Sequence, residues 1–164
     1  MISQQEKPVE ISLASVEGKV REKNAEVLQP ILTDLIALGL IVKQLHWNVT
    51  GPHFRPIHLH LDEIYEAVLE ATDTVAERIT ACGHSPNGMP RSVANNTELK
   101  EPREGFLPDS EVLLLASQGI RETAGLIRSR MELIEDVDTV TADLLHQVVA
   151  TLEKHHWMLQ AQRI

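Results

Sequence analysis

Apolar residues recur at three- and four-residue spacing through most of the chain. Leu28, Ile31, Leu32, Leu35, Leu38, Ile41, Val42 and Leu45 form one such series, as expected of a helix that buries a single stripe. It predicts a first helix from Asn24, read as its cap, to Asn48, with Pro30 marking a kink or a delayed start. Thr50-Gly51-Pro52 ends that helix, and a second is predicted from Arg55-Pro56 to Ala81, stopped by Gly83. Residues 84–108 are rich in Gly, Pro, Asn and Ser and read as a long connection, with a short helix around Ser92 to Leu99. A third helix is predicted from a cap at Asp109 or Ser110 to Glu135, and a fourth from Thr139 to Gln162. Residues 1–20 read as a polar N-terminal arm and 21–164 as one domain.

Strand-like alternation is hard to find, so the fold class is all-α. Four helices with one long connection between the second and third predict a four-helix bundle of ferritin type. The 164 residues, 43% hydrophobic and 24% charged, suffice for one domain with a real core. The most apolar stretch, Ile31 to Val42, is short and interrupted by Thr33 and Asp34, which argues against a membrane span. The first residues carry neither a basic nor an apolar leader pattern. Cys82 is the single cysteine, which excludes an internal disulfide and suits a reducing cytoplasm. Its side chain is expected to pack as a small buried hydrophobe. The net charge of -9 opposes general attraction to nucleic acid or anionic lipid and favours cations. That makes the eight histidines worth placing one by one, because imidazole beside carboxylate is a transition-metal donor set.

On the second helix His58 and Asp62 stand four residues apart, hence on one face. Asp73 and Glu77 repeat the spacing. The eleven-residue offset from Asp62 to Asp73 leaves only roughly 20° of rotation, so both pairs share a stripe. They are also roughly 16 Å apart along the axis, far beyond metal–ligand distances of about 2 Å. Each pair is therefore half a site. A two-fold axis crossing the helix near Ala67 and Val68 would set His58/Asp62 of one subunit against Asp73/Glu77 of its neighbour, giving two identical sites per dimer. His46, at the end of an antiparallel first helix, can join His58 and Asp62. The mixed nitrogen and oxygen set suits iron, with zinc, manganese or cobalt as alternative occupants.

The run Lys43-Gln44-Leu45-His46-Trp47-Asn48-Val49-Thr50-Gly51-Pro52, with Phe54, His58, Asp62-Glu63, Asp73 and Ala76-Glu77-Arg78, closely resembles the Dps family of mini-ferritins. The likeness continues through Leu152-Glu153-Lys154-His155 and Trp157-Met158-Leu159. The resemblance implies ferroxidase ligands at His46, His58 and Asp62 of one subunit and at Asp73 and Glu77 of its partner. It also implies a hollow dodecamer that oxidises Fe(II), preferably with hydrogen peroxide, and stores Fe(III) mineral, protecting against oxidative damage. Because imidazole and carboxylate bind metal only when deprotonated, activity is expected to fall in acid, toward about pH 4.

Further roles follow from the same resemblance. The plain expectation for Trp47, beside His46, is interface packing, to which the resemblance adds a role in quenching stray oxidising equivalents. Lys43 either pairs with an acidic residue near the site or is solvated. Glu135, Asp136, Asp138 and Asp143 fall where the family has an acidic three-fold pore, Asp143 matching best; the alternative for the others is a solvated loop. Glu153 and His156 form a lone Glu-x-x-His, without the second copy that an intrabundle di-iron site requires. His156 reads as a packed histidine or an auxiliary ligand, and His53, His60, His84 and His146 receive no role.

The competing function is a DNA-compacting protein. Residues 1–20 hold only Lys7 and Lys19 against Glu6, Glu10 and Glu17, too few basic groups to release many counterions. Tight DNA binding is not expected; cation-bridged binding is the alternative. The expected location is cytoplasmic, with nucleoid association as the variant.

Overall fold

A computed structural model describes residues 14–16 and 18–163. In chain order it contains α1 (Gly18–Asn48), β1 (Val49–Thr50), α2 (Phe54–Ala81), α3 (Pro90–Asn96), β2 (Leu107–Pro108), α4 (Asp109–Met131) and α5 (Thr139–Ala161). The four long helices form an all-α bundle of the expected ferritin-like kind, and the short α3 lies inside the long connection. α1 packs chiefly on α2, α4 on α5, and α1 also meets α4.

The apolar stripe read from α1 is the centre of the core. Leu28, Ile31, Leu35, Leu38, Val42 and Leu45 are fully buried there, in one cluster with Ile64 and Val75 of α2, Ile120 of α4 and Leu145 of α5. By length and composition alone α1 could cross a membrane, but most of its apolar side chains are buried against the other helices. Each such side chain contributes about 1.5–3 kcal/mol on burial.

Several boundaries differ from the sequence expectation. α1 begins at Gly18, so residues 18–20 form its first turn, whereas most of the expected arm (1–13 and 17) lies outside the described residues. Asn24 is no cap: it is fully buried within α1 and its Nδ2 donates to Cys82 Sγ at 3.2 Å and to Asp138 Oδ2 at 2.7 Å. α1 continues through Pro30. The short helix starts and ends earlier than expected, at Pro90 and Asn96, with proline in the first turn where its missing N–H costs nothing. α4 stops at Met131, and a run of turns carries the chain to α5.

Two contacts anchor the long connection. Asp34, 1% exposed on α1, accepts from Thr97 Oγ1 (3.0 Å), Glu98 N (2.9 Å) and Arg130 Nη1 of α4 (2.8 Å). The unpredicted parallel pairing Val49↔Leu107 and Thr50↔Pro108 then ties the end of α1 to the start of α4. A two-residue ladder is too short to leave an alternating sequence signal.

At the opposite end Arg78 Nη2 of α2 meets Asp138 Oδ2 at 2.6 Å, and Arg78 Nε donates to Thr141 Oγ1 at 2.9 Å. Asp138 also caps α5, its side chain accepting from Val140 N. Burial works against its ionisation, but bonds from Thr141, Asn24 and Arg78 outweigh it and hold the carboxyl far below the usual range. Asp138 is therefore a structural joint between α2, α1 and α5 and not part of a solvated loop. Glu135, Asp136 and Asp143 are exposed.

A candidate metal centre at the α1–α2 corner

His46 sits in the last turn of α1, and His58 and Asp62 lie in the first turns of α2. The turn between the helices determines how they meet. Gly51 there has φ 130, and a Cβ at that position would lie 2.8 Å from Asp109 Cγ and Oδ2. Only glycine tolerates both the conformation and the approach. Asp109 Oδ2 accepts from His53 N at 3.0 Å and lies 3.1 Å from His53 Nδ1; Oδ1 accepts from Ser110 N at 2.8 Å. These bonds, the backbone of His53 first, lower the Asp109 pKa. Asp109, expected as a helix cap, is the first residue of α4 and holds this turn instead.

One ligand atom from each of His46, His58 and Asp62 lies within 4.8 Å of the others. His46 Nε2 is 3.0 Å from Asp62 Oδ2. The His46 and His58 rings stack with centroids 3.7 Å apart and planes 22° apart. His58 Nδ1 donates to the His46 carbonyl at 3.1 Å, which leaves its Nε2 lone pair free, the usual way a backbone acceptor sets the tautomer of a ligand histidine. Phe54 covers the His58 ring at 5.0 Å. His46 Nδ1 is buried with no hydrogen-bond partner among the described residues.

Lys43, one turn before His46, reaches across to Asp62 Oδ1 at 2.5 Å, its Nζ also 4.6 Å from the Tyr65 ring centroid. Of the two expectations for this lysine, pairing is the one observed. Tyr65 went unnoticed in the sequence, where nothing marks a single aromatic seven residues after His58 as a lysine rest. The Lys43 bond, with smaller help from His46, lowers the Asp62 pKa. Burial, partly offset by Asp62, lowers that of His46. At neutral pH these shifts favour an uncharged His46 imidazole beside an ionised Asp62 carboxylate, the protonation states that bind metal.

The structure does not bring Asp73 and Glu77 to this trio. Both are exposed farther along the unbroken α2, where a rise of about 1.5 Å per residue puts Asp73 roughly 16 Å from Asp62. Asp73 borders a groove with Leu32, Ile36, Glu66, Leu69 and Ala76. Leu69 is 53% exposed and Trp47 66%, so apolar surface accompanies both halves of the expected site.

Other histidines are also placed. His156 is half-buried, with Nδ1 3.1 Å from both the Ser117 hydroxyl and carbonyl oxygens; it packs between α4 and α5. His60 and His155 are buried together, although the sequence assigned His60 nothing. Burial lowers both pKa values.

A helical bundle with one long crossover and a histidine–carboxylate corner defines the class, and the ferritin-like domain family matches residues 25–163. DNA protection during starvation protein 2 of Deinococcus radiodurans is 35% identical over 140 residues, 85% of this chain and 58% of that protein. The chain thus spans less than two thirds of that relative's length. The crystal structure of Dps92 from Deinococcus radiodurans superposes with a TM-score of 0.84 at 34% identity, covering 88% of this chain and 87% of that one. Dps from Microbacterium arborescens, solved in a high-iron form, gives 0.86 at 26% identity, covering 91% and 97%. This chain belongs to the Dps family.

Proposed function

We propose that two copies of this chain build an iron-oxidising centre that neither holds alone. The observation that carries the reading is the convergence of His46, His58 and Asp62 at one end of a helix whose exposed face bears Asp73 and Glu77 farther along. An isologous contact across that face, near Ala67 and Val68, supplies Asp73 and Glu77 of the second copy to the trio of the first. The apolar groove beside Asp73 and the exposed Leu69 and Trp47 support such a contact.

Fe(II) is substrate here. Imidazole and carboxylate hold it, and carboxylate oxygens favour the harder Fe(III) product. Two ferrous ions and one hydrogen peroxide, with two protons, give two ferric ions and two waters. Delivering both electrons together cleaves the O–O bond without releasing hydroxyl radical. The chain contributes binding, orientation and the ionised state of its ligands. Lys43 must leave Asp62 Oδ1 for both carboxylate oxygens to serve.

The same reading extends to a hollow dodecamer that retains the ferric product as mineral in the cytoplasm. Protection of DNA, as in the relatives' name, would follow from removing Fe(II) and peroxide together. In this reading Trp47, exposed next to His46, takes up stray oxidising equivalents. The test is the rate of Fe(II) oxidation by peroxide in the unmodified protein and in Asp73→Ala. A loss of about tenfold or more is expected; equal rates would remove the shared site.

A further inference from the structure

Away from that corner, α2 and α5 enclose a second pair of histidines. His60 and His155 are 7% and 8% exposed. His60 Nε2 and His155 Nδ1 lie 3.4 Å apart, with ring centroids 5.7 Å apart and planes inclined by 39°. That separation is long for a hydrogen bond, which has its usual range at 2.7–3.2 Å. It does match the edge of a tetrahedron around zinc: two Zn–N bonds of about 2.0–2.1 Å put their nitrogens about 3.3–3.4 Å apart.

We propose that His60 and His155 form a second metal site, taking a borderline divalent cation such as Zn(II), distinct from the His46/His58/Asp62 corner. Glu63, three residues after His60 and so on the same side of α2, carries an exposed carboxylate whose charge acts on both imidazoles. That charge favours a bound cation, and water completes the set around the two imidazole nitrogens. Gln162 is the positioning residue. Its Nε2 donates to His60 Nδ1 at 2.8 Å, which places the His60 proton on Nε2, toward His155. A half-turn of the amide gives up the Nε2 bond to the Met158 carbonyl (3.2 Å), presents Oε1 to Nδ1, moves the His60 proton there and frees Nε2 as a ligand. Such an acceptor behind a ligand histidine is the customary outer support of a metal site. Lys154 is the one cation whose charge acts on His155 from α5, and it is exposed.

The inference does not depend on iron oxidation, and its test separates the two sites. Crystals of the assembled protein soaked in zinc chloride should give anomalous density about 2.1 Å from His60 Nε2 and His155 Nδ1. In a His58→Ala/Asp62→Ala background, calorimetry with Zn(II) should retain one cation per subunit that disappears on adding His155→Ala. Gln162→Ala should weaken that binding about tenfold or more while leaving its stoichiometry. Anomalous density absent from the pair, or a zinc stoichiometry indifferent to His155, would overturn the proposal. The soaked crystal decides the matter even where His155→Ala fails to fold.

Discussion

Lys43 Nζ stands 2.5 Å from Asp62 Oδ1, while the other oxygen of the same carboxylate stands 3.0 Å from His46 Nε2. One carboxylate is thus shared between a permanent cation and a prospective metal ligand. The ammonium keeps Asp62 ionised and aimed at the corner. It also occupies the oxygen, and supplies the charge, that an entering cation must displace.

Lys43→Gln should therefore tighten binding of the first divalent cation, by about fivefold, since the competing charge is lost while a polar group of similar reach remains. Calorimetry with Zn(II) on the assembled protein measures it. Weaker binding in the variant would assign Lys43 to positioning alone.

Subunits that each lack one half of the site should rescue each other. His58→Ala/Asp62→Ala retains Asp73 and Glu77, and Asp73→Ala/Glu77→Ala retains the trio. Random pairing makes half the dimers mixed, and each mixed dimer has one intact centre of two, so about a quarter of the peroxide-dependent rate should return. Co-expressed and co-purified mixtures provide the assay. A mixture as inactive as its parents would exclude shared centres.

Gly51→Ala should be costly. The new methyl meets the Asp109 carboxyl at 2.8 Å in a backbone conformation unsuited to alanine. A loss of about 2 kcal/mol is expected from strain and crowding together, seen as a lower unfolding midpoint. Because this turn orients α2 against α1, Zn(II) affinity at the corner should fall with it.

Asp138 sets an acid limit on the far end of the bundle. Its pKa is lowered in the folded chain, so its stabilisation is fully present above the unfolded value of about 3.9 and fades as pH falls toward the folded value. Asp138→Ala should destabilise by about 3 kcal/mol at pH 7, since Arg78 loses its buried partner. The gap between variant and parent should narrow steadily below about pH 4, as followed by thermal unfolding. A gap independent of pH would mean that the charge contributes nothing.

The long helices were legible because their apolar residues recur at helical spacing over many turns, and the stripe from Leu28 to Leu45 is buried as expected. Ends were less legible. Asn24 has the chemistry of a cap, yet it bonds Asp138, more than a hundred residues away; no local feature distinguishes those two uses. Asp109 and Asp138 likewise sit at helix starts, but their main partners come from other elements.

The candidate site divides along the same line. Residues within one helix keep relations set by 3.6 residues per turn, so the spacing of His58, Asp62, Asp73 and Glu77, and the incompleteness of each pair, follow from their order in the chain. What His46 bonds, which oxygen Lys43 takes, and that His60 lies against His155 depend on how separate helices pack, by contacts between residues 16 to 95 positions apart. A repeating backbone carries the first kind of information, and interlocking side chains across the core carry the second.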